Sequence, residues 1–322
     1  MTTQAALFRR GTAAGATAIA VALLGAGCSS SAGAATSAAG AEAGSGSGTI
    51  TVVGAENEYA NVIAQIGGKY VRTDAVMSDP NTDPHTFEAS PAVAQEVSSA
   101  QLVVQNGVGY DTFMNTIEKA APNPSRKVID VQNLLGLPDS TANPHLWYQP
   151  TTMPAVARAV AADLAQIRPA DASYFQANLG TFDNSLAPWN QAIAALRAAH
   201  PNTPVATTEP VADYMLQAAG TDNLTPWSFQ ADIMNGVDPS PQDVTLQDSL
   251  FTRHKVKIFL YNQQVTDSLT QKFLNLAKQN GIPVVGVYET MPTDGYTYQS
   301  WMLAEVDAVD KALSTGQSTE KL

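Results

Sequence analysis

Residues 49–68 read TITVVGAENEYANVIAQIGG, and this stretch decides the fold class. Thr49–Val53 is a run rich in β-branched residues, which suit a pleated strand. Tyr59, Val62, Ile63 and Ile66 then fall on one helical face, closed by Gly67-Gly68. A strand that runs straight into a helix is half of a βαβ unit. Downstream the alternation repeats: a strand at Tyr70–Met77, a helix at Pro91–Ser98, a strand at Leu102–Gln105, a helix at Thr112–Ala120 and a strand at Val128–Val131. Repeated βα units predict a parallel sheet with helices on its faces.

The middle of the chain changes character. From Thr151 to about His200 only helical periodicity is legible, through Val156, Val160, Leu164, Ile167, Tyr174, Leu179, Phe182, Leu186, Ile193 and Leu196. Pro169 suits the first turn of a new helix and Pro188 should kink or break one. A helical stretch on the order of 30 residues, about 45 Å at 1.5 Å per residue, is long enough to connect two lobes. Strand and helix then alternate again. Strands are expected at Val205–Thr208, Val256–Tyr261 and Val284–Tyr288, and helices at Val211–Ala219, from Ser240-Pro241, at Ser268–Asn280 and at Tyr298–Ser314. The expected fold is α/β: two βαβ lobes with parallel sheets, residues 49–150 and 201–322, joined by a long helical spine over 151–200.

Upstream lies a secretory signal. Arg9 and Arg10 precede the apolar run Ala13–Leu24, and small residues lead to Cys28. The run is short for a membrane span. Residues 1–27 therefore read as a signal peptide, and 28–48, almost all Ser, Ala, Gly and Thr, as a flexible tether. Cys28 is the only cysteine in the chain. Leu24-Gly25-Ala26-Gly27-Cys28 resembles a bacterial lipoprotein box, although Gly25 stands where a large aliphatic is usual. The resemblance implies a lipidated cysteine anchored to the outer face of the cytoplasmic membrane. The chain from Cys28 onward carries 29 acidic and 15 basic residues, a net of −14, which argues against nucleic acid as a partner. Without a thiolate in the folded part, any metal site must use nitrogen and oxygen.

Four segments place a possible ligand beyond the carboxyl end of an expected strand, where βα folds present ligands. They are Asp83-Pro84-His85, Asn143-Pro144-His145, Glu209 held by Pro210, and Glu289. On the residues alone, each histidine is either a ligand or a surface residue after a turn. The two glutamates read more simply as solvated loop-edge carboxylates. His200 and His254 read as surface residues.

The strings DPHTFE (83–88), NPHLWYQP (143–150), TEPVADYMLQAAG (208–220), VKIFLYNQQVTD (256–267) and GIPVVGVYETMP (281–292) together resemble the cluster A-I substrate-binding proteins of manganese and zinc ABC transporters. Asn106-Gly107-Val108-Gly109 also matches a loop of that family. The resemblance implies four metal ligands. His85 and His145 would come from the first lobe, and Glu209 and Glu289 from the second, with Glu289 standing where the family usually has Asp. It further implies an extracytoplasmic, monomeric protein that carries one Mn²⁺ or Zn²⁺ to an ABC permease and its ATPase, and a spine that limits lobe motion. Two imidazoles with two carboxylates suit either ion, with a lean toward Mn²⁺, and disfavour Cu(I). The alternatives are a secreted metallohydrolase, for which no HExxH or GxSxG string is present, and a surface adhesin with a structural metal.

The lipid anchor has a direct test. Each buried methylene contributes about 0.8 kcal/mol to membrane binding, and two chains hold where one is marginal. Cys28→Ala should move the protein from the membrane fraction to the soluble one; fractionation unchanged from the parent removes the anchor.

Overall fold

A computed structural model describes residues 48–80, 87–292 and 295–322. The signal, the tether, Cys28 and His85 lie outside the described residues. Among those described, the strands are β1 (Ile50–Glu56), β2 (Val71–Met77), β3 (Leu102–Gln105), β4 (Lys127–Asp130), β5 (Pro204–Thr207), β6 (Asp222–Asn223), β7 (Ile258–Asn262) and β8 (Val284–Val287). They form two four-stranded sheets, ordered β2-β1-β3-β4 and β6-β5-β7-β8, and every pairing is parallel. Both sheets thus carry the same order, with a switch in winding direction beside their first strand. In open parallel sheets that crevice, at the carboxyl ends, is where ligands bind.

The first helices are α1 (Asn57–Gly67), α2 (Pro91–Ser99), α3 (Thr112–Ala120) and α4 (Val131–Leu134). Tyr59, Val62, Ile63 and Ile66 are fully buried, as their spacing requires. Gly54 lets α1 fold back tightly on β1, because a Cβ there would run into the backbone nitrogen of Ala60. The strand also runs further than its β-branched residues indicate and carries Glu56 to its buried end.

The spine is α5 (Thr152–Ile167), α6 (Ala172–Ser185) and α7 (Ala187–Ala199). Pro169 opens a short 3-10 turn before α6, and Pro188 sits in the first turn of α7, so the helix breaks at Leu186 as proline chemistry demands. α6 packs on α1 and α5, whereas α7 packs on α8 (Asp213–Ala218) and α12 (Tyr298–Thr315). One spine therefore touches both halves. The remaining helices are α9 (Trp227–Met234), α10 (Pro241–Thr252), capped by Ser240, and α11 (Ser268–Gln279), capped by Asp267. The sequence reading lacked β6, α4 and α9. β6 is only two residues long, and α9 begins with Trp227 exposed, which blurs its apolar face.

One apolar core runs through both halves, from Tyr59 and Trp147 to Trp189, Tyr298 and Trp301. Polar contacts reinforce it. Asn57 exchanges two hydrogen bonds with the backbone of Met291, at 3.0 and 2.8 Å. The Tyr298 hydroxyl donates to the Trp147 carbonyl at 2.6 Å, and the Tyr148 hydroxyl to the Tyr288 carbonyl at 2.8 Å. The chain after β8 and the start of α12 are thus tied to the first half.

Glu305 of α12 is fully buried beneath these ties. Its Oε1 accepts from Trp301 Nε1 at 3.0 Å and lies 3.2 Å from the Tyr148 hydroxyl, whose one proton it shares with the Tyr288 carbonyl. Burial nonetheless pushes its carboxyl up to about 8, with those donors opposing the rise. Above the ordinary glutamate range the unfolded chain has lost a proton that the folded protein keeps. Stability from this group is therefore complete at low pH and declines as pH rises toward 8, by up to about 1.4 kcal/mol per pH unit. Glu305→Gln keeps the acceptor and cannot ionise. Urea unfolding of metal-free protein between about pH 5 and 8 should show a shallower decline in the variant than in the parent; parallel curves contradict a neutral buried Glu305.

Candidate metal centre

His145, Glu209 and Glu289 are all buried, at 0%, 2% and 0% exposure. The expectation of solvated edge carboxylates therefore fails for both glutamates. Each follows a buried parallel strand, β5 or β8, so the strand's own packing carries the acid inward.

His145 leaves little freedom to its ring. Asn143 Nδ2 donates to the Pro210 carbonyl at 2.8 Å, which makes Asn143 Oδ1 the acceptor facing the other way. That oxygen receives His145 N at 3.0 Å and lies 2.8 Å from Nδ1. Nδ1 is then a protonated nitrogen, and Nε2 is the one turned toward Glu289. Nε2 lies 3.3 Å from Glu289 Oε2. At that distance nitrogen and oxygen need a proton or a cation between them. The edges of Tyr110 and Trp147 pack on the imidazole, with centroids 5.9 and 5.4 Å away.

Glu289 is held at both oxygens. Tyr110 donates its hydroxyl to Oε2 at 3.0 Å, and Asn262 Nδ2 donates to Oε1 at 2.7 Å. The same Asn262 nitrogen reaches Glu209 Oε1 at 3.1 Å. Gln264 Oε1 accepts the backbone N–H groups of Glu289 and Thr290 at 2.6 and 2.9 Å, fixing the turn after β8. His145 and Glu289 are thus directly paired, and Glu209 joins them through Asn262. Among the described residues no three His, Cys, Asp or Glu side chains close on one point.

Tyr110 is delivered by the 106–109 loop. Val108 takes φ 53, a left-handed conformation that costs a β-branched residue energy. The loop is clamped in that shape. Asp111 accepts the N–H groups of Asn106 and Gly107 at 2.5 and 3.0 Å, and Gln132 Oε1 accepts that of Val108 at 2.6 Å. Burial raises Asp111 to about 6, with its N–H partners opposing the rise. Glu56 and Glu58, both fully buried, are pushed well above the usual carboxylate range by burial first. Asp111 adds to the shift at Glu56, and Glu289 to the one at Glu58. Groups so placed shed their charge, because a buried unpaired carboxylate costs more than its proton.

A family model described as ZnuA, zinc-uptake complex component A, periplasmic, matches residues 52–312. The chain belongs to this family. The metal ABC transporter substrate-binding lipoprotein FimA of Streptococcus parasanguinis is 22% identical over 294 residues, covering 82% of this chain and 89% of FimA. The manganese-binding lipoprotein MntA of Bacillus subtilis (strain 168) is 22% identical over 143 residues, 42% of this chain and 46% of MntA. Among solved structures, the periplasmic zinc binding protein TroA from Treponema pallidum superposes with a TM-score of 0.71 at 18% identity, covering 83% of this chain and 99% of TroA. The Mn²⁺ complex of FpvC from Pseudomonas aeruginosa gives 0.68 at 18% identity, covering 83% and 99%. These structural likenesses bear on the fold, and the family is one of solute-binding proteins.

Asn143 is legible in the sequence only as the turn residue before His145, and the roles of Tyr110, Asn262 and Gln264 were not read from it. A signal for one of them was present. Asn262 is a polar residue at the carboxyl end of an otherwise apolar strand, the position from which Glu209 and Glu289 were chosen. Tyr110 left none, since nothing local tells that it meets a carboxylate 179 residues away.

Proposed function

We propose that this protein is the extracytoplasmic substrate-binding component of a metal-ion ABC importer, with one Mn²⁺ or Zn²⁺ as its cargo. His85, His145, Glu209 and Glu289 are the proposed ligands, and delivery is to a membrane permease driven by its ATPase. The protein acts as a monomer, held to the outer face of the membrane by a lipid on Cys28. Membership of the family supports the reading, as do relatives named for metal and manganese binding.

The observation that carries it is the contact of buried His145 Nε2 with buried Glu289 Oε2 at 3.3 Å. A divalent cation taking the place of a proton between them would bond both atoms. Nitrogen and carboxylate oxygen are the donor types that Mn²⁺ and Zn²⁺ accept. Asn143 supplies the hydrogen bond that orients a ligating imidazole, and Tyr110 and Asn262 do the same for the acid. Burial of His145, Glu209 and Glu289 suits capture and transfer of the ion.

A ligand bound only by the folded state stabilises it by RT ln(1 + [L]/Kd), about 4 kcal/mol at a thousandfold excess over Kd. Mn²⁺ or Zn²⁺ should raise the melting temperature, while Mg²⁺ and Ca²⁺ should not. A melting curve indifferent to transition metals removes the proposal.

Glu289→Ala should cost most of the metal affinity, as His85→Ala and His145→Ala should. A surface carboxylate would change it by only about 0.5 kcal/mol or less. Isothermal titration of the three variants beside the parent reads this directly. Near-parental affinity in Glu289→Ala strikes that residue from the site.

A further inference from the structure

Glu289 follows β8, and the turn that carries it is held from two sides. Gln264, from the same half, accepts the N–H groups of Glu289 and Thr290. Asn57, the first residue of α1, grips the next residue from the other half. Its Nδ2 donates to the Met291 carbonyl at 3.0 Å, and its Oδ1 accepts Met291 N at 2.8 Å. Only one orientation of the amide satisfies both bonds. Asn57 thus does for Met291 what a directly opposed residue does in an antiparallel strand pair.

Asn57 also opens a row on α1, with Asn61 and Gln65 following at four-residue spacing on the same face. Asn61 Oδ1 accepts Tyr298 N at 3.0 Å, and Gln65 exchanges two amide hydrogen bonds with Gln299 at 3.0 and 2.9 Å. Those two pairs hold the start of α12. Asn57 alone in the row holds backbone beside Glu289. It is also fixed to the frame that carries His145, because Tyr59 of α1 packs edge-on against Trp147 with centroids 6.5 Å apart.

Resting on the metal-site reading above, we propose that Asn57 is a positioning residue that acts through Met291 to set Glu289 against His145. The backbone over 289–291 is pinned at each residue, so a shift at Met291 reaches Glu289 with little slack. The contact it serves is short, 3.3 Å between Nε2 and Oε2, and bonds made there weaken steeply with misalignment. Removing Asn57 leaves the Met291 N–H and carbonyl without partners and frees the turn from the half that holds the histidine.

The test compares Asn57→Leu, which removes both bonds to Met291, with Gln65→Leu, which removes the pair further along the same row. Mn²⁺ and Zn²⁺ are titrated into the purified mature protein. Asn57→Leu should weaken binding about tenfold or more, and Gln65→Leu by less than about twofold. Equal losses in the two variants mean general loosening between the halves and overturn the inference, as does parental affinity in Asn57→Leu. Should Asn57→Leu not fold, amide exchange of the parent, followed by NMR, decides the matter. Coupling is reciprocal, so a clamp that favours the metal is itself tightened by it. Zn²⁺ should slow exchange of the Met291 N–H more than that of the Tyr298 N–H, and equal slowing or none at Met291 overturns the inference. A parent that binds no transition metal, or parental affinity in Glu289→Ala, overturns the metal-site reading and this inference with it. A parent whose affinity needs Glu289 but is unmoved by Asn57→Leu overturns this inference alone.

Discussion

A carboxylate taken out of water must be given a proton, hydrogen-bond donors or a cation. The centre of this protein is organised by that requirement. Five acids, Glu56, Glu58, Asp111, Glu209 and Glu289, are buried where the two parallel sheets present their carboxyl ends. They receive different treatments. Asp111 is given backbone N–H groups, Glu289 a tyrosine hydroxyl and an amide, and Glu56 and Glu58 are driven toward the neutral acid. Glu289 is the acid that meets the imidazole of His145, and Glu209 shares the amide of Asn262 with it. The strained loop at Val108 and the buried amides are what holding that arrangement costs.

The second consequence is mechanical. A site whose proposed ligands come from both halves holds its geometry only if the halves are held too. α6 and α7 brace one sheet each, and the chain beyond β8 is tied to α1 and to the 145–148 turn by Asn57, Tyr148 and Tyr298. Large apolar side chains fill the same seam, each stabilising by about 1.5–3 kcal/mol when fully buried. Trp147 sits two residues from His145, so packing that joins the halves also positions this proposed ligand.

Much of this was legible in the chain itself. Period-3.6 stripes and β-branched runs marked both sheets and the spine, and Pro188 marked the break in it, because local sterics and local burial produce those signals. Lys127–Asp130 and Pro204–Thr207 differ from expectation by a residue at their ends, where hydrogen-bond pairing with a neighbouring strand sets the limit. Two-residue β6 is too short to register, and the exposed Trp227 blurs the apolar face of α9.

What the sequence determined by itself was the order of elements, the parallel sheets that such an order entails, and the histidine and acid positions beyond strand ends. Tertiary structure alone decided which of those side chains are dry, which nitrogen of His145 faces an acid, and that one amide on β7 serves two carboxylates. The reason is separation along the chain. Tyr110 and Glu289 are 179 residues apart, His145 and Glu289 144, and Glu209 and Asn262 53. A pKa, a tautomer or a shared donor depends on distances of a few ångströms, which no local pattern encodes and only the packing of the two halves creates.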